Sequence, residues 1–123
     1  MEFDELSNRV IGCAIEVHRH LGSGLLEITY EQCLAHELRL NGIDFVLQHP
    51  LPVVYKGIRL DCGYRVNVLV EGCLILELKS VDEINPIHEA QLLTYMKLAG
   101  IRIGLLINFN VKQLKSGIKR FVL

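Results

Sequence analysis

The residues best suited to chemistry lie in segment 67–79, which reads Asn-Val-Leu-Val-Glu-Gly-Cys-Leu-Ile-Leu-Glu-Leu-Lys. Side chains of a β-strand alternate between its two faces, so Glu77 and Lys79 project from one face of an otherwise apolar strand. A carboxylate and an ammonium beside apolar surface cost free energy unless they pair or hold a metal ion and its anionic ligand. The second arrangement is the one that a metal-dependent phosphodiesterase needs.

The turn between the two predicted strands decides whether Asn67 lies beside Glu77. A two-residue turn at 71–72 puts these side chains on opposite faces of the hairpin. A three-residue loop such as 70–72, with its glycine in the left-handed conformation, puts both on the same face as Lys79. The simpler alternative is a core hairpin without a cation, in which Glu77 pairs with Lys79 at a solvent-exposed edge.

Two further polar pairs recur at helical spacing. Glu27 and Tyr30 are three residues apart, and Gln91 and Tyr95 are four apart, so each pair shares one face of its predicted helix. Taken alone, Glu27 is an ordinary acidic residue in a first helical turn, and Gln91 with Tyr95 are ordinary boundary residues. Because all these elements are expected to flank one sheet edge, the pairs together favour a shared site.

Hydrophobic periodicity predicts the elements that position these residues. Apolar residues at three- and four-residue spacing predict three helices. These helices cover about residues 3–20, Leu26 to Asn41-Gly42, and Asn85-Pro86 to Gly100. Runs of β-forming residues predict strands at 45–48, 53–55, 58 to about 70 with a bend at Gly63, 74–78, 102–109 and 117–123. The order ααββββαβ(β) indicates an α/β or α+β fold with a mixed sheet.

The totals limit the kind of protein. A chain of 123 residues has the size of one domain. No apolar run reaches the about 18 residues of a membrane helix, so the mean hydropathy of +0.31 indicates a dense core or an oligomer interface. The acidic N-terminus without a secretory segment favours the cytoplasm. The four cysteines lack Cys-x-x-Cys spacing and are expected to be buried free thiols.

The charge balance restricts contact with nucleic acid to local patches. A formal net charge of −1 excludes the global basic surface that strong nucleic-acid binders usually carry. The candidates for a local path are Arg65, Lys112, Lys115, Lys119 and Arg120. A few lysines give only weak, salt-sensitive binding to phosphates.

These motifs together resemble a known family. Their sequences are Gly24-x-x-Glu27-x-x-Tyr30, Tyr64-Arg-x-Asn67, Glu77-Leu-Lys79 and Gln91-Leu-Leu-Thr-Tyr95. They are similar to the motifs of the GxxExxY family of small proteins, which belongs to the PD-(D/E)XK nuclease superfamily. The resemblance covers nearly the whole chain and implies one nuclease-like domain over residues 1–123. Its expected core is restriction-endonuclease-like, with a mixed central β-sheet flanked by helices.

The resemblance also implies a metal site of the Mg²⁺ or Mn²⁺ type that acts on DNA or RNA phosphodiesters. In the superfamily pattern, Glu77 and the acid of the preceding strand bind the metal at about 2.1 Å, and a backbone carbonyl near Leu78 completes the set. Glu27 would hold an outer-shell water or a second ion. Lys79 would position the attacking water and stabilise the developing charge.

The same pattern suggests how the substrate is held. Gln91 and Tyr95 look like a Gln-x-x-x-Tyr element that hydrogen-bonds the phosphate or orients Lys79. Tyr30 and Arg65 are the expected nucleic-acid contacts beside the site.

The sequence departs from this pattern at Asn67, where the resemblance leads us to expect Asp. An amide oxygen can coordinate Mg²⁺ but brings no negative charge to a hard cation. Asp61 is a poor substitute because six strand residues span about 20 Å. We therefore expect weakened or abolished metal binding and cleavage. The alternative is a non-catalytic nucleic-acid- or protein-binding module that self-associates, as a homodimer, through exposed edge strands.

Overall fold

The computed structural model describes residues 4–123, in which helices and strands are combined in one main sheet and one small hairpin. The helices are α1 (Glu5–Leu21), α2 (Glu27–Leu40) and α3 (Pro86–Ala99). The strands are β1 (Phe45–Pro50), β2 (Val53–Tyr55), β3 (Ile58–Leu60), β4 (Arg65–Val70), β5 (Leu74–Lys79), β6 (Ile103–Asn108) and β7 (Ile118–Val122). A short 3₁₀ turn, Leu114–Gly117, precedes β7.

The main sheet has the strand order β1-β4-β5-β6-β7. Only β5 and β6 run parallel, and α3 is the helix in the connection between them. The other neighbours are antiparallel. The predicted mixed sheet flanked by helices is therefore confirmed.

The sheet has a hydrophobic core on each face. Helices α1 and α2 cover one face, where Leu34 and Leu38 pack with Val68 and Leu76. Helix α3 covers the other, where Leu92, Tyr95 and Met96 pack with Val66, Ile75 and Leu106. Strand β6 supplies buried side chains to both faces, so its predicted burial on two sides is confirmed.

The predicted strand from residue 58 to about 70 is wrong. Strand β3 ends at Leu60 and β4 begins at Arg65, so β2 and β3 form a hairpin separate from the main sheet. Between them Gly63 adopts a positive φ of 80°, and its N–H donates to Asp61 Oδ1 at 3.0 Å. An aspartate that binds its own backbone two residues on stabilises a turn in place of a continuous strand.

Helix α1 begins near its predicted position because Asp4 caps it. The Ser7 N–H donates to Asp4 Oδ1 at 2.8 Å, which satisfies one of the unpaired N–H groups at the helix start. The predicted start at residue 3 lies outside the described residues. Within residues 4–123, no helix is both long enough and apolar enough to cross a membrane.

The expectation that all four cysteines are buried thiols is confirmed for only some of them. Cys13 is buried and Cys33 is half-buried. Cys62 and Cys73 are exposed because they lie in connections, the turn before β4 and the loop before β5.

Candidate functional site

The β4–β5 hairpin sets Asn67 against Glu77. The register pairs Val68 with Leu76 and Val70 with Leu74, so Asn67 and Glu77 are the next residues of the two strands beyond the last pair. The connection consists of residues 71–73, one residue later than the loop considered from the sequence. The odd number of loop residues, which the sequence required for a shared face, is confirmed.

This loop combines a tight turn with one additional residue. Glu71 and Gly72 both have positive φ angles, 48° and 68°, and the Cys73 N–H donates to the Val70 carbonyl at 3.0 Å. Two left-handed residues in succession are typical of a type I′ hairpin turn. Cys73 then adds one residue before β5 pairs again, so the loop has three residues.

The sheet opens on both sides of Asn67. Strand β1 pairs with β4 before and after Gln48, but Gln48 itself is not paired with Asn67. On the other side, the pairing of β4 with β5 ends at Val68 and Leu76. Gln48 adopts a positive φ of 52°, a conformation that costs a non-glycine residue on the order of 1 kcal/mol. The break in both ladders frees the Asn67 side chain for contacts inside the sheet.

Asn67 bridges the gap to β5 with both its backbone and its side chain. Its N–H donates to Glu77 Oε1 at 3.4 Å, and its Oδ1 accepts from the Leu78 N–H at 2.8 Å. Val66 and Val68 are both buried but belong to the cores on opposite faces, so the regular alternation of β4 is broken at Asn67. Among residues 4–123, the Asn67 Nδ2 group has no hydrogen-bond acceptor.

Glu77 is a buried carboxyl group with an altered acidity. It is only 4% exposed, and this burial raises its pKa to about 7. The Asn67 N–H and the positive charge of Lys79 lower the pKa, whereas the negative charges of Glu27 and Glu31 raise it. Two further carboxylates therefore act on Glu77 at this point, with Lys79 as the cation that opposes them.

The structure contradicts the alternative of an ion pair at a solvent edge. Glu77 is buried rather than exposed. In the described part of the chain, it forms no ion pair with Lys79 or Arg65. Lys79 is half-buried at the end of β5, where its backbone pairs with Asn108 of β6.

A cavity of about 190 Å³ lies between α2 and the opened strands. Its lining residues are Glu27, Ile28, Glu31, Gln48, Asn67 and Leu78. The Glu31 side chain is 5% exposed, and its Oε1 accepts from Gln48 Nε2 at 2.5 Å. The cavity therefore gathers two carboxylates and two amides, with Glu77 immediately behind Asn67.

Sequence reasoning missed Glu31 and Gln48. Glu31 follows Glu27 by four residues, so the helical spacing of two acids on one face could have identified it. Gln48 carried no such signal because the positive φ that breaks the β1–β4 pairing at this residue cannot be seen in the sequence.

Gln91 and Tyr95 lie on the α3 side of Glu77. Gln91 Nε2 donates to the Tyr95 hydroxyl at 2.9 Å, so these two side chains are in contact. Burial raises the pKa of Tyr95; the Gln91 hydrogen bond opposes this effect, and the charges of Glu77 and Tyr64 add to it. The Tyr95 ring also lies 5.8 Å from the Tyr64 ring, centroid to centroid. The acids of α2 therefore act on Glu77, and Glu77 in turn acts on Tyr95 of α3.

The structure corrects the expectation that Tyr30 contacts nucleic acid. Its side chain is fully buried and stacks on Phe109 with ring centroids 4.4 Å apart. The Tyr30 hydroxyl donates to the Gly22 carbonyl at 2.6 Å and accepts from the Leu25 N–H at 3.3 Å. Tyr30 therefore holds the loop that precedes Glu27, a structural role that the motif spacing alone does not reveal.

Arg65 lies two residues before Asn67, at the start of β4. Its guanidinium is 3.5 Å from Asp61 and donates to the Tyr64 carbonyl at 2.8 Å. Asp61 is itself bound into the turn at Gly63, and its pKa is lowered by the Gly63 N–H and by the charge of Arg65. Asp61 thus partners Arg65 and the turn, and it does not line the cavity beside Asn67.

The carboxylate and amide oxygens at this site are of the kind that bind a hard divalent cation. Carboxylate and amide oxygens are the ligands that Mg²⁺ and Mn²⁺ prefer, and buried Glu77 has two acidic neighbours that a cation would neutralise. From residue 4 to residue 123, no three or more His, Cys, Asp or Glu side chains are grouped closely enough to hold a metal ion. The residues fit such an ion in chemistry, and Asn67 leaves the set one negative charge short of the expected pattern.

The fold and this cluster define a class of protein. A five-stranded mixed sheet flanked by helices is consistent with a restriction-endonuclease-like fold. The model of the PD-(D/E)XK nuclease superfamily matches residues 4–121, so the chain belongs to that superfamily. No curated protein and no solved structure matches the chain.

Proposed function

We propose that the protein is a nuclease-fold protein of the GxxExxY type with a weak Mg²⁺ or Mn²⁺ site for nucleic-acid phosphodiesters. The observation that carries the proposal is the buried carboxyl group of Glu77, with its pKa raised to about 7, held against Asn67 between α2 and α3. Burying an acid without an ion pair costs free energy, and such groups concentrate at functional sites.

In this proposal Glu77 and Asn67 Oδ1 are the metal ligands. A bound divalent cation would lower the pKa of a coordinated water and neutralise charge on the phosphate. With such an ion bound, Glu27 would hold a water beside it, and Lys79 would orient the attacking water and stabilise the developing charge. Gln91 and Tyr95, already hydrogen-bonded to each other, contact the phosphate from the α3 side.

Asn67 sets the strength of the proposed site. The Oδ1 atom of Asn67 accepts from Leu78, as an aspartate oxygen could, and its Nδ2 donates to no residue between positions 4 and 123. An aspartate would keep the observed hydrogen bond and add one negative charge. Hard cations bind carboxylates more tightly than amides, so the amide of Asn67 weakens the site without distorting it.

The substitution Asn67→Asp tests the proposal directly. We expect tighter Mn²⁺ binding by titration calorimetry, by about tenfold or more, because one full charge is added beside Glu77. Divalent-ion-dependent cleavage of a generic DNA or RNA substrate should rise in parallel. Asn85→Asp is the matched control, since Asn85 caps α3 outside the cavity and an N-cap accepts either residue. If neither the parent nor the Asn67→Asp protein binds a divalent ion, the enzymatic proposal fails.

A second candidate is a non-catalytic binding module on the nuclease fold. The observation that favours it is the lack, over positions 4–123, of a group of three acids, histidines or cysteines close enough for a metal. Strands β1 and β7 are the edges of the main sheet, and edge strands can pair with a second copy. A homodimer in light scattering, with a gel shift of nucleic acid that does not depend on divalent ions, would support this candidate. A monomer without a gel shift at low salt would contradict it.

A further inference from the structure

A second groove lies at the end of the sheet where β5 and β6 finish. It has a volume of about 560 Å³ and is bordered by the end of α1 and by the segment that follows β6. Its lining residues are Ile15, His18, Arg19, Gly22, Lys112, Gln113, Leu114 and Lys115. Every ionisable residue of this lining is basic, in a chain whose overall charge is −1.

The basic residues near the C-terminus divide into two groups. Lys119 is bound to Glu89 at 2.9 Å, and Arg120 is bound to Asp4 at 3.1 Å, so the charge of each is matched by an acid. Lys112 and Lys115 are exposed and form no ion pair with any residue that the structure describes. Arg19 of the groove lining pairs with Glu16 at 2.9 Å, so the uncompensated positive charge of the groove is that of these two lysines.

Three contacts connect this groove to the candidate site. His18 Nε2 lies 2.8 Å from the Val111 carbonyl, which joins α1 to the segment after β6. The Phe109 N–H donates to the Lys79 carbonyl at 2.9 Å, which attaches that segment to the end of β5. The Ser80 hydroxyl donates to the Leu25 carbonyl at 2.6 Å, which attaches the loop before α2 to the residue after Lys79.

The chain itself limits the distance between the groove and the cavity. Gly22 lines the groove and Glu27 lines the cavity, and they are five residues apart. Five residues span at most about 18 Å even when fully extended. Since successive charges of one nucleic-acid strand rise by about 3.4 Å, this distance corresponds to at most about five nucleotides.

We propose that this groove binds the phosphate backbone of a nucleic-acid strand that continues into the cavity beside Asn67. The continuation into the cavity rests on the function proposed above, whereas the binding of phosphates by Lys112 and Lys115 does not. Uncompensated lysines attract phosphates by releasing counterions, and such contacts position a strand without reading its sequence. The apolar side chains of Ile15 and Leu114 complete the lining between the charges.

The test is the double variant Lys112→Ala/Lys115→Ala, assayed for binding of a fluorescent single-stranded 12-mer by anisotropy in EDTA. We expect binding at low salt to weaken by about tenfold or more, and the slope of log K against log salt to fall in magnitude by about 1.4, about 0.7 for each lysine on a single strand. The double variant Lys97→Ala/Arg102→Ala is the matched control. It removes two exposed cations at the opposite end of β6, and it should bind like the parent.

Oligonucleotide length gives a second readout. If one strand crosses both places, the affinity of the parent should keep rising as oligomers lengthen past the at most about five nucleotides between cavity and groove, and the affinity of the double variant should rise less. Equal binding of the parent and the double variant to the 12-mer would overturn the inference, as would no binding by the parent at low salt. Preferential binding of poly-glutamate would also overturn it and assign the groove to an acidic protein. Because binding is measured without a divalent ion, failure of cleavage or of metal binding does not affect this result.

Discussion

Glu77 shows how one residue can link the stability of the fold to its chemistry. Its carboxyl group is almost completely buried, its pKa is raised to about 7 by that burial, and two further acids act on it. Such a residue lowers the free energy of unfolding at neutral pH in the absence of a cation. A cation bound to the Glu77 carboxylate would restore this lost free energy of unfolding.

The pH dependence of stability should reveal this cost. Between about pH 4.5 and pH 7 the folded protein keeps the Glu77 proton that the unfolded chain has lost, so its stability falls as the pH rises. The shift corresponds to about 3 kcal/mol. We therefore expect Glu77→Gln to gain about that much relative to the parent between pH 4.5 and pH 8, in urea unfolding with EDTA present.

The exposed Glu83→Gln substitution is the control for this experiment, since Glu83 lacks the burial that causes the effect. A stability difference between the Glu77→Gln protein and the parent that does not change with pH would show that Glu77 is ionised in the folded state throughout. That result would remove the electrostatic basis of the site.

At the residue scale, the sequence predicted part of the site. It predicted that Asn67 and Glu77 would share a face only if the loop had an odd number of residues, and the observed loop 71–73 meets this condition. It could not predict that Gln48 adopts a left-handed conformation, because that strain is imposed by the tertiary structure. It also assigned Tyr30 to a surface that its burial in the core excludes.

At the scale of the elements, hydrophobic periodicity predicted the helices and the central strands well. It failed between β3 and β4, where Asp61 and Gly63 form a turn within a run of strand-forming residues. Local side-chain hydrogen bonds compete with strand pairing, and the periodicity does not record them. The turn separates β2 and β3 from the main sheet and leaves Asp61 with Arg65 instead of the cavity.

Gly117 offers a test of how the elements at the groove fit together. A Cβ atom at this position would collide with the Asn108 carbonyl oxygen and lie 3.0 Å from a Val111 methyl group, so the 3₁₀ turn must move. We expect Gly117→Ala to lower the free energy of unfolding by about 1–3 kcal/mol, measured by urea denaturation. It should also weaken nucleic-acid binding, because Lys115 lies in the same turn.

Gly12→Ala is the matched control for Gly117→Ala. Gly12 lies within α1 on its exposed side, and apart from its chain neighbours and the backbone of its own helix nothing lies within 4 Å of the added methyl group. Replacing a helical glycine by alanine should raise stability by about 0.5–1 kcal/mol. A Gly117→Ala protein as stable as the Gly12→Ala protein would contradict the close approach of the turn to the end of β6.

At the scale of the whole molecule, the two cores explain where the polar groups can lie. Helices α1 and α2 cover one face of the main sheet, and α3 covers the other. The polar side chains of the candidate site lie between these two layers, where the strands separate around Asn67. Although the total charge of the chain is close to zero, its acidic and basic side chains are separated locally. Acids gather at the cavity, and unpaired lysines gather in the groove at the same end of the sheet.

Diffraction from crystals soaked in Mn²⁺ tests the central claim most directly, because anomalous scattering locates the ion independently of activity. We expect a peak bonded to oxygens of Glu77 and residue 67, weak in the parent and strong in the Asn67→Asp protein. A peak elsewhere, or none at this place in the Asn67→Asp protein at millimolar Mn²⁺, would contradict the assignment of these residues to a cation site.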